Sequence, residues 1–179
     1  MKKIVWTYGL MAGAVFVVSL LTTALLRDRI GFEATEVFGY TTMLVAFLMV
    51  FFGIRSYRDR VLHGAIGFGA AFKAGVLITL IASACYIGAW EFVYYRFTPD
   101  FGEQYAVRVV ERAKADGKSV AEIAAKEKQM AEFVQQYKNP VINVAYTFIE
   151  VFPVGLVVTL VSAGILSRRP RVGVPARVP

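Results

Sequence analysis

The stretch NVAYTFIEVFPVG, residues 143–155, places a carboxylate inside a long apolar segment of the chain. A charged side chain at the centre of a bilayer costs about 3 kcal/mol on insertion scales, so it is expected to face a bundle interior and to have a partner. Asn143, Thr147 and Glu150 are spaced i, i+4 and i+7, which places them on one helical face. Tyr146 lies beside that face, one turn before Glu150. The stretch therefore predicts a buried polar cluster around Glu150 in a membrane-spanning bundle.

The composition of the whole chain is typical of a membrane protein. Hydrophobic residues make up 57% of its 179 residues, and the mean hydropathy is +0.55, whereas soluble domains are about 45–50% apolar. One cysteine, Cys85, and one histidine, His63, argue against a metal centre, a cofactor site or a histidine-based triad. The net charge of +7 comes mainly from basic residues at span boundaries and in the tail, so it does not indicate nucleic-acid binding.

Four apolar segments are long enough to cross a bilayer as helices. These segments are residues 4–26, 37–54, 72–95 and 141–166. The first exceeds the core of about 7–15 residues that a signal peptide has, so we interpret it as a retained helix. Gly9 and Gly13 in it form a G-x-x-x-G pair that lets another helix approach closely. The predicted fold is all-α, a single polytopic four-helix membrane domain over residues 1–166.

A hydrophilic segment, residues 97–139, separates the third span from the fourth and shows helical patterns. Asp100 with Glu103, and Ser119 with Glu122, have the spacing of helix N-terminal capping pairs. The segment therefore predicts an αα-hairpin outside the cytoplasm, which is too small to bury a sufficient core alone. We expect it to pack on itself, on the membrane surface or on a partner protein.

The distribution of Lys and Arg predicts how the chain is oriented in the membrane. Arg55, Arg58 and Arg60 follow the second span and form a basic cluster that we expect to face lipid headgroups in the cytoplasm. Four spans place both termini on that side and the hairpin in the periplasm. Residues 167–179 contain four arginines and three prolines, so they are predicted to be a disordered basic tail.

Several short runs of residues point to one family. These runs are Lys2–Ile4, Tyr8–Leu10, Phe52–Asp59, Phe68–Lys73, Trp90–Glu91, Tyr94–Tyr95, Lys138–Pro140, and Glu150 with Phe152–Gly155. In these residues, of which Phe52–Asp59 are the most specific, the chain resembles the bacterial family called domain of unknown function four-one-nine-nine. The resemblance extends to Leu166 and implies an inner-membrane protein with four spans. It implies no activity, ligand or catalytic residue.

Three functions remain, in order of preference. The first is a structural or accessory membrane protein that self-associates, in which Glu150 holds the bundle in register through Tyr146, Asn143 or a neighbouring span. The second is a small transporter of protons, cations or a solute, in which Glu150 binds the charge and Glu91 lines the outer mouth. The third is an intramembrane enzyme, which would need Glu91 and Glu150 to share a proton. They differ in depth by roughly 8 Å at 1.5 Å per residue, so we expect no enzyme. The expected partners are lipids, further copies of the chain, and a protein docked on the hairpin.

Overall fold

The computed structural model describes residues 1–26 and 32–167 of the chain, without the side chains of residues 32–34 and 36. The described part contains six α-helices. They are α1 (Lys2–Leu26), α2 (Phe32–Arg60), α3 (Phe68–Phe97), α4 (Phe101–Ala115), α5 (Val120–Tyr137) and α6 (Pro140–Leu166). The prediction of an all-α fold is confirmed for these residues. The predicted tail beyond Ser167 lies outside them.

Four helices are long and apolar enough to cross a membrane: α1, Val37–Arg60 of α2, α3 and α6. α2 continues past its predicted end at Ile54 to Arg60, because no Pro or Gly interrupts the chain between Gly53 and Gly64. α3 begins at Phe68, four residues before its predicted start. Basic residues also suit the last turn of α2, where they face the negative end of the helix dipole. The turn after α2 contains His63 and Gly64 at φ of 54° and 96°, and the Gly64 N–H donates to the Arg58 carbonyl at 2.9 Å.

α3 packs against α1, α2 and α6. Its contact with α1 uses the predicted glycine pair. A Cβ atom placed on Gly9 would lie 2.8 Å from Cβ of Ile81, and one on Gly13 would lie 2.6 Å from Sγ of Cys85. The G-x-x-x-G contact is therefore confirmed, and it is a contact within one chain.

The contact between α3 and α6 has a cluster of small residues that we call the glycine–threonine seam: Gly75, Thr79, Gly155 and Thr159. A Cβ atom on Gly75 would lie 2.6 Å from Cγ2 of Thr159. Thr79 donates to the Gly155 carbonyl at 3.4 Å, and its oxygen lies 3.0 Å from that of Thr159. Phe47 of α2 covers the seam, since a Cβ atom on Gly155 would lie 2.6 Å from its ring.

α4 and α5 pack against each other beside the ends of α3 and α6. The predicted capping box of α5 is confirmed, with Ser119 N–H donating to Glu122 at 2.9 Å and Glu122 N–H donating to Ser119 at 3.3 Å. Asp100 is the N-cap residue of α4, as predicted, but its side chain makes no cap hydrogen bond. Its φ and ψ of −91° and 8° are not the extended conformation that directs an N-cap side chain to the first turn. Its carboxylate instead accepts a hydrogen bond from Gln104.

α6 begins at a cap that its own sequence supplies. Asn139 is the N-cap, and its side-chain oxygen accepts from the Val141 N–H at 3.0 Å. Pro140 occupies the first turn, where its missing N–H has no intrahelical acceptor to lose. Asn139 therefore lies between the last two helices, and α6 begins at Pro140.

Candidate functional site

The indole of Trp90 connects α3 to both α5 and α6. Its N–H donates to the Tyr137 hydroxyl at 2.9 Å and to the Asn143 side-chain oxygen at 3.2 Å. Thr147 donates to the Asn143 backbone carbonyl at 2.9 Å and lies 3.4 Å from its side-chain oxygen. Asn143, Tyr137 and Thr147 are all buried. These four residues, which we call the Trp90 network, join three helices through one partly buried and three buried side chains.

Aromatic rings surround the Trp90 network and hold α4 and α5 against the bundle. Phe101 of α4 packs edge-on against Trp90 with ring centroids 4.8 Å apart. Phe133 of α5 lies 5.1 Å from Tyr137 and 5.4 Å from Tyr146 of α6. Such pairs contribute about 0.5–1.5 kcal/mol each beyond the area they bury. The docking of the α4–α5 pair therefore combines ring packing with the hydrogen bonds of the network.

Glu103 and Tyr137 of the α4–α5 pair have pKa values shifted in opposite directions. Lys138 lies 2.9 Å from a carboxylate oxygen of Glu103 and holds the pKa of Glu103 below its ordinary value through this hydrogen-bonded ion pair. Burial raises the pKa of Tyr137, while the hydrogen bond from Trp90 opposes that shift. Tyr137 is therefore a neutral phenol at ordinary pH, and its oxygen accepts from Trp90.

Glu150 lies outside the buried cluster in which the sequence placed it. The side chain is exposed on the surface of the single chain, whereas the neighbouring Val151 is buried. The buried positions of α6 recur every four residues, through Asn143, Thr147, Val151, Gly155 and Thr159. A four-residue repeat turns about 40° around the helix at each step, so the buried face moves away from the i+7 position. Asn143 and Thr147 form the buried part of the predicted cluster, and Glu150 lies at its exposed edge, near Tyr137, whose pKa is raised by burial and further by the charge of Glu150.

The other predicted carboxylate, Glu91, lies elsewhere. It is partly buried, and its Oε1 atom is buried without a hydrogen-bond partner among the described residues. Its neighbour Trp90 is level with Asn143, and Glu150 lies seven residues further along α6. The two carboxylates are therefore separated by about 10 Å along the bundle. Tyr146 is exposed and donates to the Gln136 side chain at 3.5 Å, so it borders the network without joining it.

The predicted basic cluster lies at the end of the bundle opposite to α4 and α5. Arg55 and Arg58 both approach Asp59, at 3.6 Å and 2.7 Å, and Arg60 is exposed beside them. This end carries more positive than negative charge, which suits contact with anionic headgroups.

The roles of Trp90 and Tyr137 were missed by the sequence analysis, since aromatic residues near the end of a span resemble an interfacial belt. The available signal was chemical, because a buried Trp or Tyr needs a partner for its one polar group. Trp90 also borders a cavity of about 120 Å³ between α1, α3 and α4, lined by Leu20, Thr98, Gln104 and Arg108 among others. In residues 1–26 and 32–167, no three His, Cys, Asp or Glu side chains are grouped as metal ligands would be.

Comparison with known proteins identifies the chain by family alone. The family described as Protein of unknown function (DUF4199) matches residues 7–168, which include nearly all of the six helices. No curated protein matches the chain, and no solved structure matches it. The family match covers most of the chain and agrees with the resemblance in the short sequence runs. The chain therefore belongs to the DUF4199 family.

Proposed function

We propose that this chain is a structural or accessory protein of a membrane, which α1, α2, α3 and α6 cross, and that it self-associates. The observation that carries the proposal is the Trp90 network. The single polar group of Trp90, its indole N–H, donates to residues of α5 and α6 in the same chain. Thr147 in turn donates a hydrogen bond to Asn143. Such an arrangement orients helices and holds the α4–α5 pair in one position. The proposed function includes no catalytic role.

The proposal includes an orientation. The basic cluster of Arg55, Arg58 and Arg60 would face the cytoplasm with both termini, and the α4–α5 pair would face the periplasm of a bacterial inner membrane. Supporting this, the cluster and the α4–α5 pair lie at opposite ends of the bundle, as the positive-inside rule requires. The α4–α5 pair, held on the bundle at several points, would present its charged outer surface to a protein partner.

A transport function is the second candidate, and the observation that favours it is the unsatisfied Oε1 atom of Glu91. Glu150 lies about 15 Å along α6, at a depth where a transported cation or proton would have to pass. Between the helices, however, side chains from α1, α2 and α3 pack closely against the glycines of neighbouring helices. A pathway would therefore have to pass outside the packed interior of one chain.

Flux measurements in liposomes test the structural proposal against transport. We expect purified protein to give proton, sodium and potassium fluxes equal to those of protein-free liposomes. The same preparations should show that Trp90→Phe, which removes the indole N–H, makes α4 and α5 more sensitive to protease. A flux that wild type shows and Glu150→Gln loses would overturn the structural proposal. Unchanged protease sensitivity in Trp90→Phe would show that the Trp90 network does not hold α4 and α5, and would leave the structural proposal without its support.

A further inference from the structure

α6 presents one exposed face that runs along most of its length. Six of its exposed residues, which we call the α6 stripe, are Tyr146, Glu150, Pro153, Val157, Leu160 and Gly164. All six are exposed in the single chain, and their spacing alternates between four and three residues. This is the heptad spacing with which one helix packs along another.

The stripe contains a carboxyl group at a depth where lipid has no hydrogen-bonding or charged groups. Glu150 lies ten residues into α6, about 15 Å from the start of the helix. This distance is half the thickness of a hydrocarbon core of about 30 Å. Glu150 makes no hydrogen bond or ion pair within residues 1–26 and 32–167, and acyl chains can supply neither. A second molecule in the membrane can supply the hydrogen-bond partner that this group lacks among the described residues of its own chain.

We propose that a second copy of this chain packs in parallel on the α6 stripe, with the two Glu150 carboxyl groups hydrogen bonded to each other across a two-fold axis. This inference rests on the self-association in the proposed function and names its surface. Two copies inserted in the same direction have parallel α6 helices, and a two-fold axis along the membrane normal places each stripe residue beside its own counterpart. The two carboxyl groups then meet at the same depth. A protonated carboxyl donates its O–H to the other group and also offers a carbonyl acceptor, so the pair satisfies itself.

Four further features favour α6 over α1 and α2. The exposed residues in the middle of α1 and α2 are apolar and suit acyl chains, as Leu10 and Leu44 do. The glycine pair of α1 is already occupied by Ile81 and Cys85 of its own chain. On the stripe, Pro153 leaves the Ile149 carbonyl without its helical donor, which adds a polar acceptor beside Glu150. Gly164 has no neighbour within 4 Å of a built Cβ atom, so a second helix can approach there.

Disulfide cross-linking in native membranes tests the surface. The only cysteine, Cys85, is first replaced by Ala, and then Val157→Cys or Leu44→Cys is introduced in the full chain. The two positions are 58% and 57% exposed, which makes Leu44→Cys a matched control on α2. We expect oxidation to cross-link Val157→Cys at least about tenfold faster than Leu44→Cys, because only the stripe residues face their counterparts. Equal rates, a faster reaction at Leu44→Cys, or no cross-link at either position would each overturn the proposal.

Variants at Glu150 test the hydrogen bond within that surface. Glu150→Gln keeps a donor and an acceptor, so its Val157→Cys cross-linking should match wild type. Glu150→Leu should raise the dimer dissociation constant in liposomes about tenfold, as measured by energy transfer on dilution with lipid. An unchanged dissociation constant in Glu150→Leu would overturn the carboxyl pair. The two proposals fail in different experiments. A flux that depends on Glu150 would overturn the structural proposal, whereas the cross-linking rates alone decide whether the α6 stripe is the dimer surface.

Discussion

α3 and α6 meet in two ways along their length. At the glycine–threonine seam, the contact is made by Gly75, Thr79, Gly155 and Thr159, and any added Cβ atom on either glycine would lie within 2.6 Å of a neighbouring atom. At the Trp90 network the same two helices are joined by an indole and an amide, and the indole also donates to a phenol of α5. Small residues let the backbones approach at the first contact, while large side chains at the second recruit α5 and α4.

The difference shows that two kinds of fit orient one helix pair. At the seam, the two glycines have no side chains and the helices approach closely, so this contact is sensitive to added volume. The network depends on polar atoms that are present, so it is sensitive to the loss of a partner, because a buried donor left unsatisfied costs about 1–3 kcal/mol. Variants of matched size at the two places can separate these costs.

The largest effect is expected from added volume at the seam. Gly155→Val would place a Cβ atom 2.5 Å from Cγ2 of Thr79 and 2.6 Å from the Phe47 ring, so α6 would have to move away. We expect a loss of about 3 kcal/mol in the free energy of unfolding, measured by denaturation with sodium dodecyl sulfate in mixed micelles. Gly88→Val on α3 is the control, because no atom lies within 4 Å of its Cβ position. Similar losses in both variants would show that the seam is not set by close packing.

An intermediate effect is expected from the loss of a partner in the network. Asn143→Ala removes one acceptor of the Trp90 N–H and leaves the Tyr137 hydroxyl as the other. Because the Trp90 N–H keeps the Tyr137 hydroxyl as an acceptor, the same denaturation should show a loss of about 1 kcal/mol, the net contribution of one hydrogen bond. It should also show a smaller loss when Asn143→Ala is made in a Trp90→Phe background, because residues in one hydrogen-bond network are not additive.

Val144→Ala, which removes volume from an exposed neighbour on the same helix, is the control for that series. If the losses from Asn143→Ala and Trp90→Phe simply add, then the two side chains are not energetically coupled and the network is only a geometric contact.

The smallest effect is expected from acid, and only near the α4–α5 pair. The pKa of Glu103 is lowered by its hydrogen-bonded ion pair with Lys138, so the stabilisation is fully present above the ordinary pKa of a glutamate. It is lost as pH falls through the lowered pKa of the folded state. Trp90 is the reporter once the exposed Trp6 is replaced by Phe, since the chain has two tryptophans. We expect the emission of Trp90 to change as the pH falls, with a midpoint pH below the ordinary pKa of a glutamate.

Lys138→Gln sharpens this measurement. Without the ammonium group, the midpoint of the Trp90 emission change should move up toward the ordinary glutamate pKa. The contribution is small because both side chains are about half exposed to solvent. Identical acid titrations of the two proteins would show that the ion pair has no part in docking α4 and α5, while the seam should be unaffected in either case.

Hydropathy, glycine spacing and capping residues in the sequence determined much of this structure. The four long apolar helices, the capping box of Ser119 and Glu122, and the start of α6 at Asn139 and Pro140 all follow from these local signals. The close contact at Gly9 and Gly13 was also visible as a pattern, although its partner helix was not. These features depend on residues a few positions apart, whose interactions are nearly the same in any fold.

Only the tertiary structure decided which side chains meet and which side of α6 is buried. Trp90 and Tyr137 are 47 residues apart, and Thr79 and Thr159 are 80 apart. Their contacts depend on the crossing and rotation of whole helices, which no local pattern specifies. The same rotation buries Val151 and exposes Glu150, one residue away. Successive residues on a helix differ by about 100°, so a modest rotation of α6 decides whether the carboxyl group meets its own bundle or the surface.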